Sequence, residues 1–252
     1  MKLIDQTDNL LAELKLLGMR AELARRIRQA QDESLGHEDL LNLLLLDEAQ
    51  HRKNARVKRL LKNAAFRQPA SAESIDFASP RGLDKKQVMD LAGGRFIRDG
   101  VALIILGPTG VGKTHLATAI GNAACRQGTQ TLFYRMNALM EQTALARAKG
   151  TYLNLLRRLS SAELLILDDF GIKPLVPQQF QDLYDILDER GEGRATIVTT
   201  QVPIVNWSEV IPDPVTCEAI TDRLASRAVI IQMKGTSYRK KRQPTGGEQL
   251  DN

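Results

Sequence analysis

Hydrophobic and polar positions between Asp8 and Phe66 repeat with the period of a helix. We expect Gly18 to end the first helix, whose hydrophobic residues are spaced three and four apart: Leu10, Leu11, Leu14 and Leu17. A second helix is predicted from Met19 to Asp32, and a third begins near Glu38. The pattern therefore predicts three consecutive helices in this part of the chain.

The third predicted helix changes character along its length. A leucine-rich run, LLNLLLL at 40–46, precedes a strongly basic stretch, so we expect its first half to be buried and its second half exposed. Residues 1–67 are predicted to form a small all-helical domain that binds DNA or a partner. Residues 68–82 are rich in Pro, Ala and Ser and are predicted to be a linker, with Ile75 and Phe77 as docking side chains.

The pattern changes again from residue 83 onwards. After a short helix near Asp84 to Leu91, five apolar runs alternate with amphipathic segments such as Gln179 to Arg190: VALIIL, TLFYRM, ELLILD, ATIVTT and AVIIQM. Continuous apolar runs of this length indicate parallel strands that are covered on both faces. We predict an α/β fold with a five-stranded parallel sheet for residues 83–243, followed by a polar tail at 244–252.

Composition restricts the class of protein. Hydrophobic residues make up 43% of the 252 residues and aromatic residues only 4%, which is typical of a helix-rich intracellular protein. Cys125 and Cys217 have no neighbours at metal-ligand spacing, so we expect reduced thiols and no zinc site. No stretch approaches the roughly 20 apolar residues that span a bilayer, and the first residues do not resemble a signal peptide. We expect a cytoplasmic protein without a membrane partner.

The formal net charge is +5, and the cations gather in two places. Runs of Lys and Arg without interleaved aromatic residues favour contact with phosphates over contact with base edges. The predicted nucleic-acid-binding residues are Arg52, Lys53, Arg56, Lys58, Arg59 and Lys62, and Arg239, Lys240, Lys241 and Arg242. A solvated helix face is the alternative interpretation of the first group.

The strand VALIIL runs directly into GPTGVGKT, and a helical stretch from His115 to Arg126 follows. This order predicts a P-loop, in which glycines let successive backbone N–H groups point at phosphate oxygens. Lys113 is expected to reach the β- and γ-phosphates, and the Thr114 hydroxyl to bind Mg²⁺. The predicted nucleotide-binding residues are Gly107, Pro108, Thr109, Gly110, Val111, Gly112, Lys113, Thr114 and His115.

Two acids follow the apolar strand in LLILDDFG. A P-loop fold needs an acid near the metal, so Asp168 is expected to hold Mg²⁺ through water. Asp169 is expected to orient or deprotonate the attacking water, although capping of a helix is the alternative for this residue. The strand ATIVTT should lie beside this one, and Thr200 or Gln201 could then sense the γ-phosphate. These two side chains could equally satisfy backbone groups at the strand end.

Two arginines precede the last predicted strand in AITDRLASR. Arg223 and Arg227 are four residues apart and therefore share one helical face. A guanidinium there could reach the ATP of a neighbouring subunit, because it is always charged and can hold two phosphate oxygens. A solvated helix face with a pair to Asp222 is the alternative interpretation.

These elements resemble the AAA+ branch that contains replication initiators and helicase loaders. Within it the chain is most similar to the IstB family, the ATP-dependent helper proteins of insertion-sequence transposition, through GPTGVGKTHLA, LLILDDFG, TTQVP before Trp207, DRLASR and SYRKKR. The resemblance implies an ATPase that assembles on duplex DNA as a homo-oligomer, interacts with a transposase and promotes insertion. It also implies that Lys113, Asp168 and Asp169 are catalytic, and that Arg227, with Arg223 beside it, is the arginine finger.

The sequence leaves two other functions open. A helicase loader would use the same ATPase core and differ mainly in its partner, which the N-terminal helices would recognise. A small-molecule or nucleoside kinase also uses a P-loop, but it needs a substrate pocket and a mobile arginine-bearing lid. Paired acids after an apolar strand and a short basic tail favour the ATPase with ATP and Mg²⁺ as cofactors.

Overall fold

A computed structural model describes residues 2–191 and 193–237 of the chain. The chain divides into two compact units, Met1–Arg59 and Leu60–Asn252. This division precedes the predicted linker, which begins at residue 68. The predicted basic residues Arg239, Lys240, Lys241 and Arg242 and the predicted polar tail lie outside the described residues. No helix in the described ranges is long and apolar enough to cross a membrane.

Three helices contribute to the first unit: α1 (Lys2–Glu13), α2 (Leu17–Asp32) and α3 (His37–Ala64). The first helix ends before Gly18, because Lys15 takes a left-handed φ of 58° and turns the chain. The expectation that this helix includes Leu17 is therefore wrong, and Gly18 lies in the first turn of α2. The buried core of the unit is Leu11, Met19, Leu23 and Leu44.

The leucine-rich half of α3 is only partly buried. Leu44 is 7% exposed, whereas Leu41, Leu45 and Leu46 are 54%, 52% and 57% exposed. Consecutive residues of a helix point in different directions, so a run of leucines cannot all face one core. The expectation of a buried first half is wrong for these three side chains, which form an apolar surface on α3.

The start of α2 is attached to α3 by a buried carboxylate. Glu48 Oε2 accepts hydrogen bonds from the N–H groups of Gly18 and Met19, at 2.7 and 3.2 Å. Its other oxygen accepts from Arg52 Nε at 2.7 Å. Backbone N–H groups in the first turn of a helix have no partner within the helix, and Glu48 supplies one.

The second unit contains the parallel sheet and its covering helices. Its strands are β1 (Leu103–Leu106), β2 (Thr131–Arg135), β3 (Leu164–Phe170), β4 (Ala195–Thr200) and β5 (Val229–Gln232). Its helices are α4 (Lys85–Ala92), α5 (Arg95–Arg98), α6 (Lys113–Arg126), α7 (Met136–Ala148), α8 (Tyr152–Ser161), α9 (Pro177–Arg190) and α10 (Pro214–Ala225). The strand order is β2-β3-β4-β1-β5, and every pairing is parallel. The predicted five-stranded parallel α/β sheet is confirmed.

The strand order brings the predicted nucleotide-binding residues together at one end of the sheet, where the strands finish. The three central strands are fully covered on both faces, so their side chains are buried along nearly their whole length. Since β3, β4 and β1 are neighbours, their carboxyl ends lie side by side at one edge. Ligands of open parallel sheets bind outside that edge. The P-loop after β1, the acids of β3 and the threonines of β4 therefore meet there.

Candidate nucleotide-binding site

The P-loop is shaped by glycines that have no room for a side chain. Gly110 and Gly112 have φ angles of 83° and 102°, which only glycine adopts without strain. A Cβ on Gly107 would lie 2.5 Å from the carbonyl oxygen of Met233. The loop ends at Lys113, where α6 begins. Its backbone N–H groups and the helix N-terminus together form the kind of cradle that binds phosphate.

Lys113 is held inside this loop. Its side chain is buried, and Nζ donates hydrogen bonds to the carbonyl oxygens of Gly107 and Pro108 at 2.8 and 2.9 Å. Burial lowers the pKa of Lys113, and the charges of Asp169 and Asp168 oppose this shift. The ammonium group is therefore oriented by neutral carbonyls, from which an anionic phosphate can draw it.

Asp168 is fully buried, and its two oxygens differ in their surroundings. Oδ1 accepts hydrogen bonds from the hydroxyl groups of Thr199 and Thr114, at 2.6 and 2.8 Å. Oδ2 is buried and has no hydrogen-bond donor among the described residues. Burial raises the pKa of Asp168, while the hydrogen bonds from Thr199 and Thr114 act in the opposite direction.

This arrangement fits a magnesium ion. Mg²⁺ prefers oxygen ligands and is usually bound by one or two protein groups together with phosphates and waters. Thr114 supplies a hydroxyl oxygen, and Asp168 supplies a buried carboxylate oxygen, Oδ2, that accepts no hydrogen bond from the described residues. A divalent cation beside Asp168 would compensate the charge of this carboxylate. Thr114 and Asp168 are therefore the residues that would hold it.

A bulge in β3 brings both acids to the same site. Leu167 pairs with Val198 and Phe170 pairs with Thr200, so Asp168 and Asp169 together oppose the single residue Thr199. Asp169 takes a left-handed φ of 62°. In a regular strand, adjacent side chains point to opposite faces, and only one acid would reach the P-loop. The bulge removes that restriction.

Thr199 stabilises the bulge through its hydroxyl group. The hydroxyl donates to Asp168 Oδ1 at 2.6 Å and accepts from the N–H of Asp169 at 3.0 Å. The Asp169 carboxylate lies 3.6 Å from Arg135 Nε, at the end of β2. Asp169 lies within β3 and caps no helix, because the next helix begins at Pro177.

The two predicted sensor residues lie in different environments. Thr200 is buried, and its hydroxyl donates to the carbonyl of Phe170 at 2.9 Å and accepts from the N–H of Val202 at 3.0 Å. It therefore satisfies backbone groups, and the threonine of β4 that contacts an acid is Thr199. Gln201 does border the P-loop, since its Oε1 accepts from Thr109 Oγ1 at 2.6 Å.

A cavity of about 480 Å³ opens in front of these groups. Its volume is in the range of small-molecule and cofactor sites. Its lining residues come from the P-loop and the start of α6, from the carboxyl ends of β2, β3 and β4, and from residues 68–81: Gln68, Ser74, Asp76, Arg81, Thr109, Gly110, Gly112, Lys113, Thr114, His115, Arg135, Asp169, Ile172 and Gln201. Six of the nine predicted nucleotide-binding residues at 107–115 thus line one cavity with Asp169 and Gln201, whereas Gly107, Pro108 and Val111 do not line it.

Arg223 and Arg227 lie where the strands begin, opposite the nucleotide cavity. The expectation that they share one helical face is wrong, because α10 ends at Ala225 and Arg227 lies beyond it. Both arginines line a cavity of about 490 Å³ that also includes Ala102, Thr196 and Ala228, where three strands begin. Arg223 pairs with Asp188 and not with Asp222, the partner in the alternative interpretation, and its guanidinium carbon lies 4.6 Å from the centre of the Tyr184 ring. Since the P-loop lies where the strands end, neither arginine reaches the nucleotide site of its own subunit.

The six predicted DNA-binding residues of 52–62 all lie on α3 and are exposed. Arg52 is paired with the buried Glu48, whose Oε1 lies 2.7 Å from Arg52 Nε. That contact gives Arg52 a structural role within the first unit. The exposure of the run is compatible with phosphate contact and also with a solvated helix face.

Three residues of the site could not be identified from sequence patterns. Thr199 lies beside Thr200, and only the register of the bulge decides which hydroxyl meets Asp168. Arg135 ends an apolar strand, and Arg81 lies in a stretch predicted to be a linker. A charged residue at the carboxyl end of a strand that neighbours β3 is the signal that could have indicated Arg135.

Comparison with known proteins agrees with this geometry. Residues 9–245 match the family described as IstB-like ATP binding protein. A Sinorhizobium fredii protein, y4pL, described as an insertion sequence ATP-binding protein, is 40% identical over 225 residues, or 89% of this chain and 92% of that protein. The insertion sequence IS21 ATP-binding protein of Pseudomonas aeruginosa is 32% identical over 238 residues, or 94% and 90% of the two chains.

Solved structures show the same fold at low identity. The DnaC helicase loader has a TM-score of 0.55 and 19% identity, covering 66% of this chain and 97% of that chain. AMPPCP-bound DnaA from Aquifex aeolicus has a TM-score of 0.58 and 17% identity, covering 69% and 53%. The predicted AAA+ fold is therefore confirmed.

Asp168→Asn should raise the thermal stability of the nucleotide-free protein. Because burial raises the pKa of Asp168, this group does not destabilise the protein below the ordinary carboxyl pKa of 3.8; the destabilisation grows as pH rises from 3.8 and is complete above the folded pKa. We expect the melting temperature of the variant to exceed that of the wild type at pH 7. For a chain of this size, each kcal/mol gained in the free energy of unfolding corresponds to about 2–4 °C. The difference should shrink as pH is lowered towards 4.

Thermal unfolding followed by circular dichroism between pH 4 and 7 measures this difference. Asp90→Asn, at an exposed acid on α4, is the matched control, and its melting temperature should stay within about 2 °C of the wild type because surface substitutions change stability little. A stability difference between Asp168→Asn and the wild type that does not change with pH would contradict the assignment of a buried, charged Asp168.

Proposed function

The chain belongs to the family of IstB-like ATP-binding proteins, and on that basis we propose that it is an ATPase that assists insertion-sequence transposition. Relatives at 30–40% identity are described as ATP-binding proteins of insertion sequences, which favours this function over helicase loading. The observation that carries the proposal is the buried Asp168 carboxylate, which contacts Thr114 beside a complete P-loop. This constellation is suited to a nucleotide with its metal.

The residues have separate roles in the proposed hydrolysis. Backbone N–H groups of the P-loop and the Lys113 ammonium hold the β- and γ-phosphates. Mg²⁺ held by Thr114 and Asp168 would neutralise phosphate charge. Asp169 orients the attacking water and accepts its proton, for which its carboxylate must leave the contact with Arg135. Gln201 borders the same cavity and is the candidate sensor of the γ-phosphate.

Arg223 and Arg227 lie at the end of the sheet opposite the nucleotide cavity, and this position supports action between subunits. Arg227 lies where the strands begin, and the nucleotide cavity lies where they end. A ring or helical filament brings opposite edges of successive subunits together, as head-to-tail interfaces do. We assign Arg227 as the arginine finger on the next subunit's ATP, while Arg223 is held by Asp188 and Tyr184.

We further propose that the ATP-bound oligomer holds duplex DNA by its phosphates and interacts with a transposase. The exposed cations of α3 and the basic residues at 239–242 supply the charge, and the binding is largely independent of sequence. ATP that bridges two subunits would stabilise the oligomer, and hydrolysis would weaken it.

Lys113→Ala should abolish ATP-dependent assembly on DNA. Removing the ammonium group deletes charge-assisted hydrogen bonds to the phosphates, so ATP affinity should fall by about 10- to 100-fold. Assembly on duplex DNA can be followed by sedimentation or electron microscopy with a non-hydrolysable ATP analogue. Lys149→Ala, an exposed lysine of the same unit, is the control. Unchanged assembly by Lys113→Ala would count against the mechanism.

A mixing experiment tests whether Arg227 acts on a neighbouring subunit. Asp169→Asn, which leaves the P-loop able to bind ATP, and Arg227→Ala should each lack DNA-stimulated ATPase activity on their own. In a mixture, some interfaces pair an intact Asp169 with an intact Arg227, so activity should recover to roughly a quarter of the wild-type rate if subunits mix at random. Arg223→Ala should retain most activity when tested alone. No recovery in mixed oligomers, with mixing verified by a labelled subunit, would refute action in trans.

A further inference from the structure

Residues 68–82, predicted to be a linker, are packed against the P-loop helix. Ala70 and Ile75 are 5% and 7% exposed and belong to the same core cluster as Val111 and Leu116. Ser74 Oγ lies 3.2 Å from His115 Nε2 on α6. The segment therefore forms one wall of the nucleotide cavity.

Arg81 lies at the end of this segment and joins it to the P-loop. Its side chain is only 8% exposed. Nη2 donates a hydrogen bond to the carbonyl of Asp76, and Nη1 donates to the carbonyl of Val111 at 3.4 Å. The backbone carbonyl of Arg81 accepts from the N–H of Lys234 at 2.9 Å. Its backbone is thus fixed by the chain after β5, while its guanidinium group bridges the linker and the phosphate-binding loop.

The contact with Val111 determines the direction of a phosphate-binding group. The carbonyl of Val111 and the N–H of Gly112 belong to one trans peptide unit, so they point in opposite directions. When the guanidinium group of Arg81 donates a hydrogen bond to the Val111 carbonyl, the N–H of Gly112 therefore points away from Arg81. A Cβ on Gly112 would lie 3.1 Å from Arg81 Nη1, so the guanidinium group and the loop are in close contact there.

We propose that Arg81 is a positioning residue of the nucleotide site, which holds the peptide unit between Val111 and Gly112 in the orientation that binds phosphate. This inference depends on the proposed nucleotide binding. The planar guanidinium group suits the role, because its fixed fork of donors can hold two carbonyl oxygens at once. A lysine is a point charge and can replace the fork only in part. Arg81 acts on bound phosphate through the loop, so its effect belongs to binding rather than to the chemical step.

Calorimetric titration with MgADP tests this role in the full-length protein. Arg81→Gln should weaken MgADP binding by about 10- to 100-fold, because the loop loses its fixed orientation, and Arg81→Lys by about 3- to 10-fold. Arg95→Gln removes the same charge at a side chain that is 85% exposed, and its dissociation constant should stay within about twofold of the wild type.

Steady-state ATP hydrolysis separates positioning from catalysis. For Arg81→Gln, KM should rise by a factor similar to the loss of affinity, while kcat should stay within about threefold of the wild type. An Arg81→Gln protein that binds MgADP as tightly as Arg95→Gln would overturn the proposal. A fall in kcat without a rise in KM would also overturn it. If neither Arg81 variant folds, Arg81 is required for folding and the proposed positioning role is overturned.

The wild type and Lys113→Ala distinguish the failure of this inference from failure of the function on which it depends. If the wild type binds MgADP, Lys113→Ala loses binding and Arg81→Gln retains it, only the role of Arg81 is wrong. If the wild type binds no nucleotide, the proposed function fails and this inference fails with it.

Discussion

Thr199 connects two strands and two acids through one hydroxyl group. It donates to the buried Asp168 and accepts from the backbone of Asp169, at the place where two residues of β3 oppose one residue of β4. Without this bulge, the alternation of a strand would direct the two carboxylates to opposite faces of the sheet. The P-loop could then reach only one of them. The geometry of the whole site depends on this local irregularity.

Much of the fold follows from the hydrophobic pattern, and the reason is physical. Strands buried on both faces must be continuously apolar, so the five runs and their parallel arrangement could be predicted. The P-loop could be predicted because glycines, lysine and threonine at fixed spacing follow a strand and open a helix. The end of α1 could not, because the left-handed turn at Lys15 carries no glycine. Helix geometry requires some leucines of the 40–46 run to be exposed, but the choice of Leu44 over Leu41 as the buried one depends on packing and could not be predicted.

The site itself was less predictable than the fold. Thr199 and Thr200 are neighbours of the same type, and the choice between them rests on a register that periodicity does not contain. Arg81 lies in a segment whose Pro and Ser content indicates a linker, but Ile75 fastens that segment to the core. The separation of Lys113 and Arg227 follows from the parallel direction of the strands, because Lys113 comes after β1 and Arg227 comes before the parallel strand β5. This separation is the structural reason to expect cooperation between subunits.

Calorimetric titration of the purified protein with ATP, with and without Mg²⁺ and duplex DNA, measures whether the P-loop binds a triphosphate and whether the buried Asp168 takes part in holding its metal. We expect a saturable heat of binding with one site per chain, and weaker binding when Mg²⁺ is removed. No heat of binding to MgATP by the folded protein, whether or not DNA is present, would contradict this expectation.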